Sequence, residues 1–324
     1  MNQQTQKEEE NYYQINSLSN SALSVFDYSP ELYYKKYITK ELKDKKSDSL
    51  SFGSLFHCLR LEPELFEQLY YISGNNVEGL MGKFIFELAN LEGSIEDNYE
   101  LAYTLSGFKI SLEKVIDNFN KSEVYKQYYI DLVNSKDKII ISIEDYNKAL
   151  RLVKLDDENK QWSMLDNIEW DEYKELPIFF EYENIACKSK LDKLFISKDG
   201  LHAKYIDYKT DSQNNIYNYH NSFTYWKTYK QLAFYNQAII HFCKEKYDTV
   251  PIVSHYIVPL DTKNEKTIIY NISQEYIAKG IKEINQNISN LKWHIENNLW
   301  EHPKYIYDAL SLQNNILILN EPIN

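Results

Sequence analysis

The spacing of apolar positions divides the 324-residue chain into three zones. From about residue 15 to 75 the pattern is helical. Ser29-Pro30-Glu31 reads as a helix start: a capping hydroxyl, a proline suited to the first turn, and an acid beside the positive helix end. A second helix is expected to carry Ser54–Leu61 and to stop before Pro63. From about 76 to 137, amphipathic helical stretches mix with Gly, Asn and charged residues, and Tyr103, Phe108 and Phe119 read as local core. From about 138 onward the pattern is clearest. Lys138–Ile141 is a short β-branched run, and Ser142-Ile143-Glu144-Asp145 resembles a capping box opening a helix to about Lys154. Three strand-like runs follow, Leu176–Glu183, Ile185–Ser197 and Leu201–Tyr208, joined by turns at Glu183-Asn184 and Lys198-Asp199-Gly200. Then come a long helix over about Tyr225–Lys244, a strand over Val250–Pro259 and a long amphipathic helix over Ser273–Leu299. That order predicts an α/β fold with a central mixed sheet flanked by helices. The organisation expected is a flexible tail over 1–14, an N-terminal helical region over 15–137 and a core over 138–324.

Composition changes this picture little. With 43% hydrophobic residues the chain can bury a full core, and no run reaches the ~18 apolar residues of a membrane span. Met1–Asn11 is Gln- and Glu-rich without an apolar stretch, so no secretory signal is read there. Cys58, Cys187 and Cys243 are widely separated and form no CxxC pair, which argues against a disulfide framework and for a reducing, cytoplasmic setting. Arg60 and Arg151 are the only arginines. A net charge of −12 speaks against a generic nucleic-acid coat. It does not speak against a nuclease, whose metal site is built from carboxylates.

Two carboxylates and a lysine fall where such a site needs them. Asp192 lies in the second strand-like run, and Asp207 and Lys209 flank Tyr208 at the end of the third. Side chains two apart on a strand share a face, and a neighbouring strand can bring Asp192 beside them. Clustered hard oxygen ligands favour Mg²⁺, with Mn²⁺ as substitute. The Tyr208 carbonyl could complete such a shell, while the ammonium of Lys209 positions water and stabilises an anionic transition state. Asp-x-Lys alone is common on solvated strands. The combination is more specific: Asp, turn, Asp-x-Lys at a strand end, then a helix carrying Gln231 and Tyr235.

Asp192, Asp207-Tyr208-Lys209 and Gln231-Leu232-Ala233-Phe234-Tyr235 resemble the three-part signature of the RecB-like branch of PD-(D/E)xK nucleases. Leu18-Ser19-Asn20-Ser21-Ala22-Leu23, Ser29-Pro30, Phe52-Gly53-Ser54-Leu55-Phe56-His57-Cys58-Leu59 and Glu62-Pro63 resemble phage exonucleases of the exodeoxyribonuclease VIII (RecE) type. The resemblance runs from about residue 15 to 260. It implies a restriction-endonuclease-like core. His57, Asp192, Asp207 and Tyr208 would serve the metal, with Lys209, Gln231 and Tyr235 beside it. Glu175 would be a further acid of uncertain register. It further implies 5′→3′ hydrolysis of linear duplex DNA in phage-type recombination, inside a bacterial host cell. A single-strand annealing protein would be the partner. The net charge separately points to a homo-oligomer, since a ring of copies could hold a polyanion that one acidic chain repels. The alternatives are a structure-specific endonuclease on the same core, or a catalytically idle DNA- or protein-binding module. The cluster Tyr33-Tyr34-Lys35-Lys36-Tyr37 reads equally as a DNA-touching surface or as an amphipathic helix face.

Overall fold

The computed structural model describes residues 12, 15–42, 52–75, 77–135, 138–165, 169–211 and 216–312. The expected tail falls, Tyr12 apart, outside them. Two compact units share the chain: one draws on Met1–Ser47, Lys160–Asp261 and Thr267–Asn324, the other on Asp48–Asn159 and Thr262–Lys266. The second unit thus takes in the stretch from 138 to 159 as well. The reason is pairing. β2 (Ile139–Ser142) lies parallel to β1 (Tyr70–Ser73), and the helix after it, Ile143–Asp157, buries Ala149 in one cluster with Leu55, Cys58 and Tyr70.

That second unit is otherwise helical, with helices Phe52–Leu61, Gly79–Asn90, Ile95–Ser106, Leu112–Lys121 and Glu123–Ser135. The Ser142 hydroxyl caps the Ile143–Asp157 helix, accepting from the Asp145 N–H at 3.0 Å. Phe84 and Phe119 are buried together, with Tyr103 and Phe108 packed against them, so the aromatics of this stretch are core. Both arginines are held in ion pairs within the unit. Arg60 meets buried Asp156 at 2.6 Å, and Arg151 forks onto Glu265 at 2.7 and 2.6 Å.

The other unit is α/β. Its mixed six-stranded sheet runs β3 (Trp170–Tyr182), β4 (Ile185–Ser197), β5 (His202–Asp211), β6 (Ile252–Asp261), β7 (Lys266–Thr267), with β8 (Tyr270–Ile272) also beside β6. β3–β4, β4–β5 and β6–β8 are antiparallel, and β5–β6 is parallel. Helices Asn20–Tyr28, Thr228–Tyr247 and Gln274–Asn297 pack with it around Leu191, Leu194, Tyr205, Phe234, Ile257 and Ile284. The last two of these helices approach closely at Gly280, where a Cβ would stand 2.5 Å from the Tyr229 carbonyl oxygen. Among the described residues no helix is long and apolar enough to cross a membrane.

Three expectations shift. β3 starts six residues earlier than its apolar run, because its charged first half pairs with the end of β4. The helix expected over Tyr225–Lys244 runs over Thr228–Tyr247: a separate helix, Tyr219–Tyr225, precedes it, and Lys227 between them has a left-handed φ of 50°. The Tyr33–Tyr37 cluster is a packing face: Tyr33 is buried, and Tyr33 and Tyr34 stack on Trp300 at centroid distances of 6.0 and 5.0 Å.

Candidate metal and active site

Two turns set the geometry of the site. Glu183 and Asn184 take φ values of 51° and 57°, the doubly left-handed pair of a two-residue hairpin whose twist suits its strands. That turn fixes the β3–β4 register, and the pairs Lys174↔Lys193 and Leu176↔Leu191 leave Glu175 directly opposite Asp192. A carboxylate oxygen of Glu175 comes within 4.8 Å of one of Asp192. Glu175 itself has a φ of 45°, which a side chain longer than glycine's normally avoids. Strain of this kind collects where function demands it. On the other side of β4 the ladder to β5 ends at Lys193↔Ile206, one step before Asp192 and Asp207. The Tyr208 N–H donates to Asp192 Oδ2 at 2.9 Å. Within a strand a residue's N–H and C=O face the same edge, so the Tyr208 carbonyl also looks toward Asp192. Glu175, Asp192 and Asp207 thus form a row of acids across three adjacent strands.

Asp207 is almost wholly buried, at 1% exposure. Its Oδ1 accepts the Tyr205 hydroxyl at 2.9 Å, and its Oδ2 lies 2.6 Å from Lys209 Nζ. That ammonium is off the direction of a good hydrogen bond, so Oδ2 is a buried oxygen with spare capacity. Burial opposes the charge on Lys209, but Asp207 and Asp192 outweigh it and the lysine pKa is raised. Lys209 stays a cation. Burial, with Asp207 close by, pushes the Tyr205 and Tyr235 hydroxyls well above their ordinary range, so both remain protonated donors. Tyr235 packs edge-on against Tyr205 at 5.5 Å and accepts from Gln231 Nε2 at 3.0 Å. Lys190, two residues before Asp192, pairs with Glu175 at 2.9 Å.

Three clustered carboxylates cost repulsion unless a cation offsets it. With a buried Asp207 oxygen among them that meets Lys209 and has room for a second partner, the donor set fits a hard divalent ion that takes oxygen ligands.

No family model and no curated protein matches the sequence. Among solved structures the chain is similar to the crystal structure of a protein from Eubacterium rectale provisionally named an exonuclease. Identity is 12%, the TM-score is 0.47, and the match covers 98% of this chain and 93% of that one.

Of the residues singled out in the sequence, Asp192, Asp207, Tyr208, Lys209, Gln231 and Tyr235 come together in one place of the α/β unit, and Glu175 joins them. His57 sits on the Phe52–Leu61 helix of the other unit, its ring edge-on to Phe56 at 6.3 Å. Lys190 and Tyr205 were not foreseen. Period-2 spacing from Asp192 and Asp207 points to both, since each lies two residues before an acid on its own strand. The Glu175 register was also countable from the Glu183-Asn184 turn.

Proposed function

We propose that this chain is a divalent-metal-dependent deoxyribonuclease that hydrolyses phosphodiester bonds, working as an exonuclease on linear duplex ends. The acid row Glu175–Asp192–Asp207 beside Lys209 carries this reading. Asp192, Asp207, the Tyr208 carbonyl and Glu175 would hold the ion, with His57 as a further ligand. A bound Mg²⁺ would supply charge neutralisation at the scissile phosphate and acidify the attacking water. The chain's own groups do the rest. The Lys209 ammonium, kept charged by the two aspartates, orients the water and meets the negative charge that develops on phosphate oxygens. The Tyr205 hydroxyl holds Asp207 in one rotamer, and Gln231 fixes the Tyr235 hydroxyl over the same corner. Lys190 balances Glu175 until the ion's charge takes over that role.

The 5′→3′ polarity, a place in phage-type recombination and an annealing partner rest on the motif resemblance. A homo-oligomer follows from charge: at −12 the chain repels DNA at long range, and a ring of copies would hold a duplex that a monomer releases.

The deciding experiment digests end-labelled linear and closed circular duplex with Mg²⁺, with and without chelator. Loss of linear DNA alone, stopped by chelator, is expected. Equal attack on closed circles would overturn the exonuclease assignment, and activity that survives chelation would overturn the metal. Calorimetric titration of Mn²⁺ into His57→Ala is expected to show weakened binding, and unchanged affinity would remove His57 from the ligand set. Light scattering should give a mass well above 38.6 kDa.

A further inference from the structure

A groove of about 940 Å³ in the α/β unit shares Lys209 and Gln231 with the candidate site. Lys209 and Gln231 line it, and so do Tyr28, Tyr225 and Trp226. These three rings are 83%, 76% and 72% exposed. Such exposure is costly, since a large aromatic side chain forfeits the gain of leaving water. The chain nevertheless builds it in. Tyr28 is the last residue of its helix, and Tyr225-Trp226 stand at the break between two helices that the left-handed Lys227 creates. The two corners are tied together. Asp27, next to Tyr28, accepts from Lys227, next to Trp226, at 3.0 Å, and from Lys230 at 2.9 Å. Burial works against the Asp27 charge, but the two lysines prevail and its pKa is lowered, so this clamp stays ionised at neutral pH. Tyr225 and Trp226 hold each other edge to face, with centroids 4.8 Å apart.

We infer that Tyr28, Tyr225 and Trp226 form a stacking platform for unpaired bases, which threads a single DNA strand toward Lys209. The inference rests on the nuclease reading for the direction of travel, and adds the form in which the substrate arrives. Two observations favour a nucleic-acid strand over another occupant. The groove is continuous with the acid row through Lys209 and Gln231, and its lining carries three lysines (Lys209, Lys227, Lys230) against one aspartate. Exposed ring faces select a single strand, because bases inside a duplex already stack on each other. With Asp27 occupying two of the lysines, stacking contributes more than charge.

The test uses the full chain with chelator present, so that nothing is cut, and a labelled oligothymidylate as probe. Binding is expected to quench tryptophan fluorescence. Its affinity should fall with salt only gently, with a log–log slope no steeper than roughly −2, as for two or three phosphates on a single strand. Trp226→Ala and Tyr28→Ala are expected to weaken binding roughly five- to a hundredfold, the range for losing one stacked base. Trp226→Phe keeps most of the affinity while losing part of the quench, which a merely structural role would not produce. Parent-like binding by both alanine variants overturns the inference. So does preference for blunt duplex over the oligomer, or an effect of Trp226→Ala on mass in light scattering without any on oligomer affinity, which would make this face a contact between copies. A chain that binds the oligomer through Trp226 but cuts no DNA refutes the nuclease reading alone. A chain that cuts DNA but binds the oligomer equally well as Trp226→Ala refutes the platform alone.

Discussion

The α/β unit holds two clusters made of the same residue types. One is the candidate site: Asp207, Lys209, Tyr205 and Tyr235. The other lies on β3 and the end of β4, where Asp171 pairs with Lys198 and accepts the Tyr247 hydroxyl at 2.8 Å. There Tyr247 meets the Tyr173 hydroxyl at 2.8 Å, and Lys246 donates to Tyr173 at 2.6 Å. A list of residue types would not separate them. Their electrostatics do. Asp171 has both oxygens satisfied, and its side chain is 30% exposed, so Lys198, the tyrosine and water complete it. Asp207 is buried beside two further acids, with Tyr205 on one oxygen, Lys209 on the other and no water to complete it. The Asp171 cluster is closed and needs nothing more, whereas the Asp207 cluster has a surplus of negative charge that a bound cation would resolve. A candidate metal site is therefore marked by unmet charge under burial, and the presence of Asp, Lys and Tyr together says little.

The sharpest way to break that distinction is to neutralise one acid in each cluster. Asp207→Asn should cost roughly a thousandfold or more in Mg²⁺-dependent cleavage, since it removes several kcal/mol of charge stabilisation. Asp171→Asn should leave cleavage within about twofold while lowering the melting temperature, in line with a closed ion pair. Equal losses of activity in the two variants would erase the contrast.

The lysines sharpen it further. Lys209→Met is expected to lower kcat by about a hundred- to a thousandfold, the usual effect of removing one donor to a developing oxyanion, with little change in the metal concentration needed. Lys198→Met should behave as the parent does in the cleavage assay.

A smaller effect comes from a buried group that lacks any counter-charge. His255, opposite Tyr205 in the parallel β5–β6 register, is fully buried, and neither ring nitrogen has a hydrogen-bond partner among the described residues. Burial pushes its pKa from 6.5 down to about 4. Above pH 6.5 the ring is neutral whether folded or unfolded and nothing is lost. As the pH falls from 6.5 toward 4, the unfolded chain takes up a proton that the folded ring refuses. Stability should therefore drop across that window by about 1.4 kcal/mol per pH unit, on the order of 3 kcal/mol in all. Urea midpoints measured between neutral and acid pH should show His255→Leu losing less stability than the parent. Parallel curves for the two proteins would mean that the ring is not held neutral. Lys209, half-buried and paired with Asp207, keeps its charge where His255 gives it up.

Much of this arrangement was written locally. The Asp192 and Asp-x-Lys positions, the capped starts at Ser29 and Ser142 and the Glu183-Asn184 turn each depend on a few neighbouring residues. Turn chemistry and the period of a strand act over that range. Because a two-residue hairpin admits one register, even Glu175 opposite Asp192 was implicit in the string of residues. Other features depended on groups far apart in the chain. Whether Tyr33 and Tyr34 faced solvent was decided by Trp300, which stacks on both. The break at Lys227, which turns Tyr225 and Trp226 outward, is braced by Asp27 two hundred residues earlier. The spare oxygen of Asp207 arises only where three strands and the Tyr235 helix exclude water together. Sequence determined which backbone shapes and which charged groups were on hand, because those follow from local sterics and hydrogen bonding. Tertiary structure decided which charges remained unmet, because desolvation depends on everything packed around a group and on nothing in its immediate sequence.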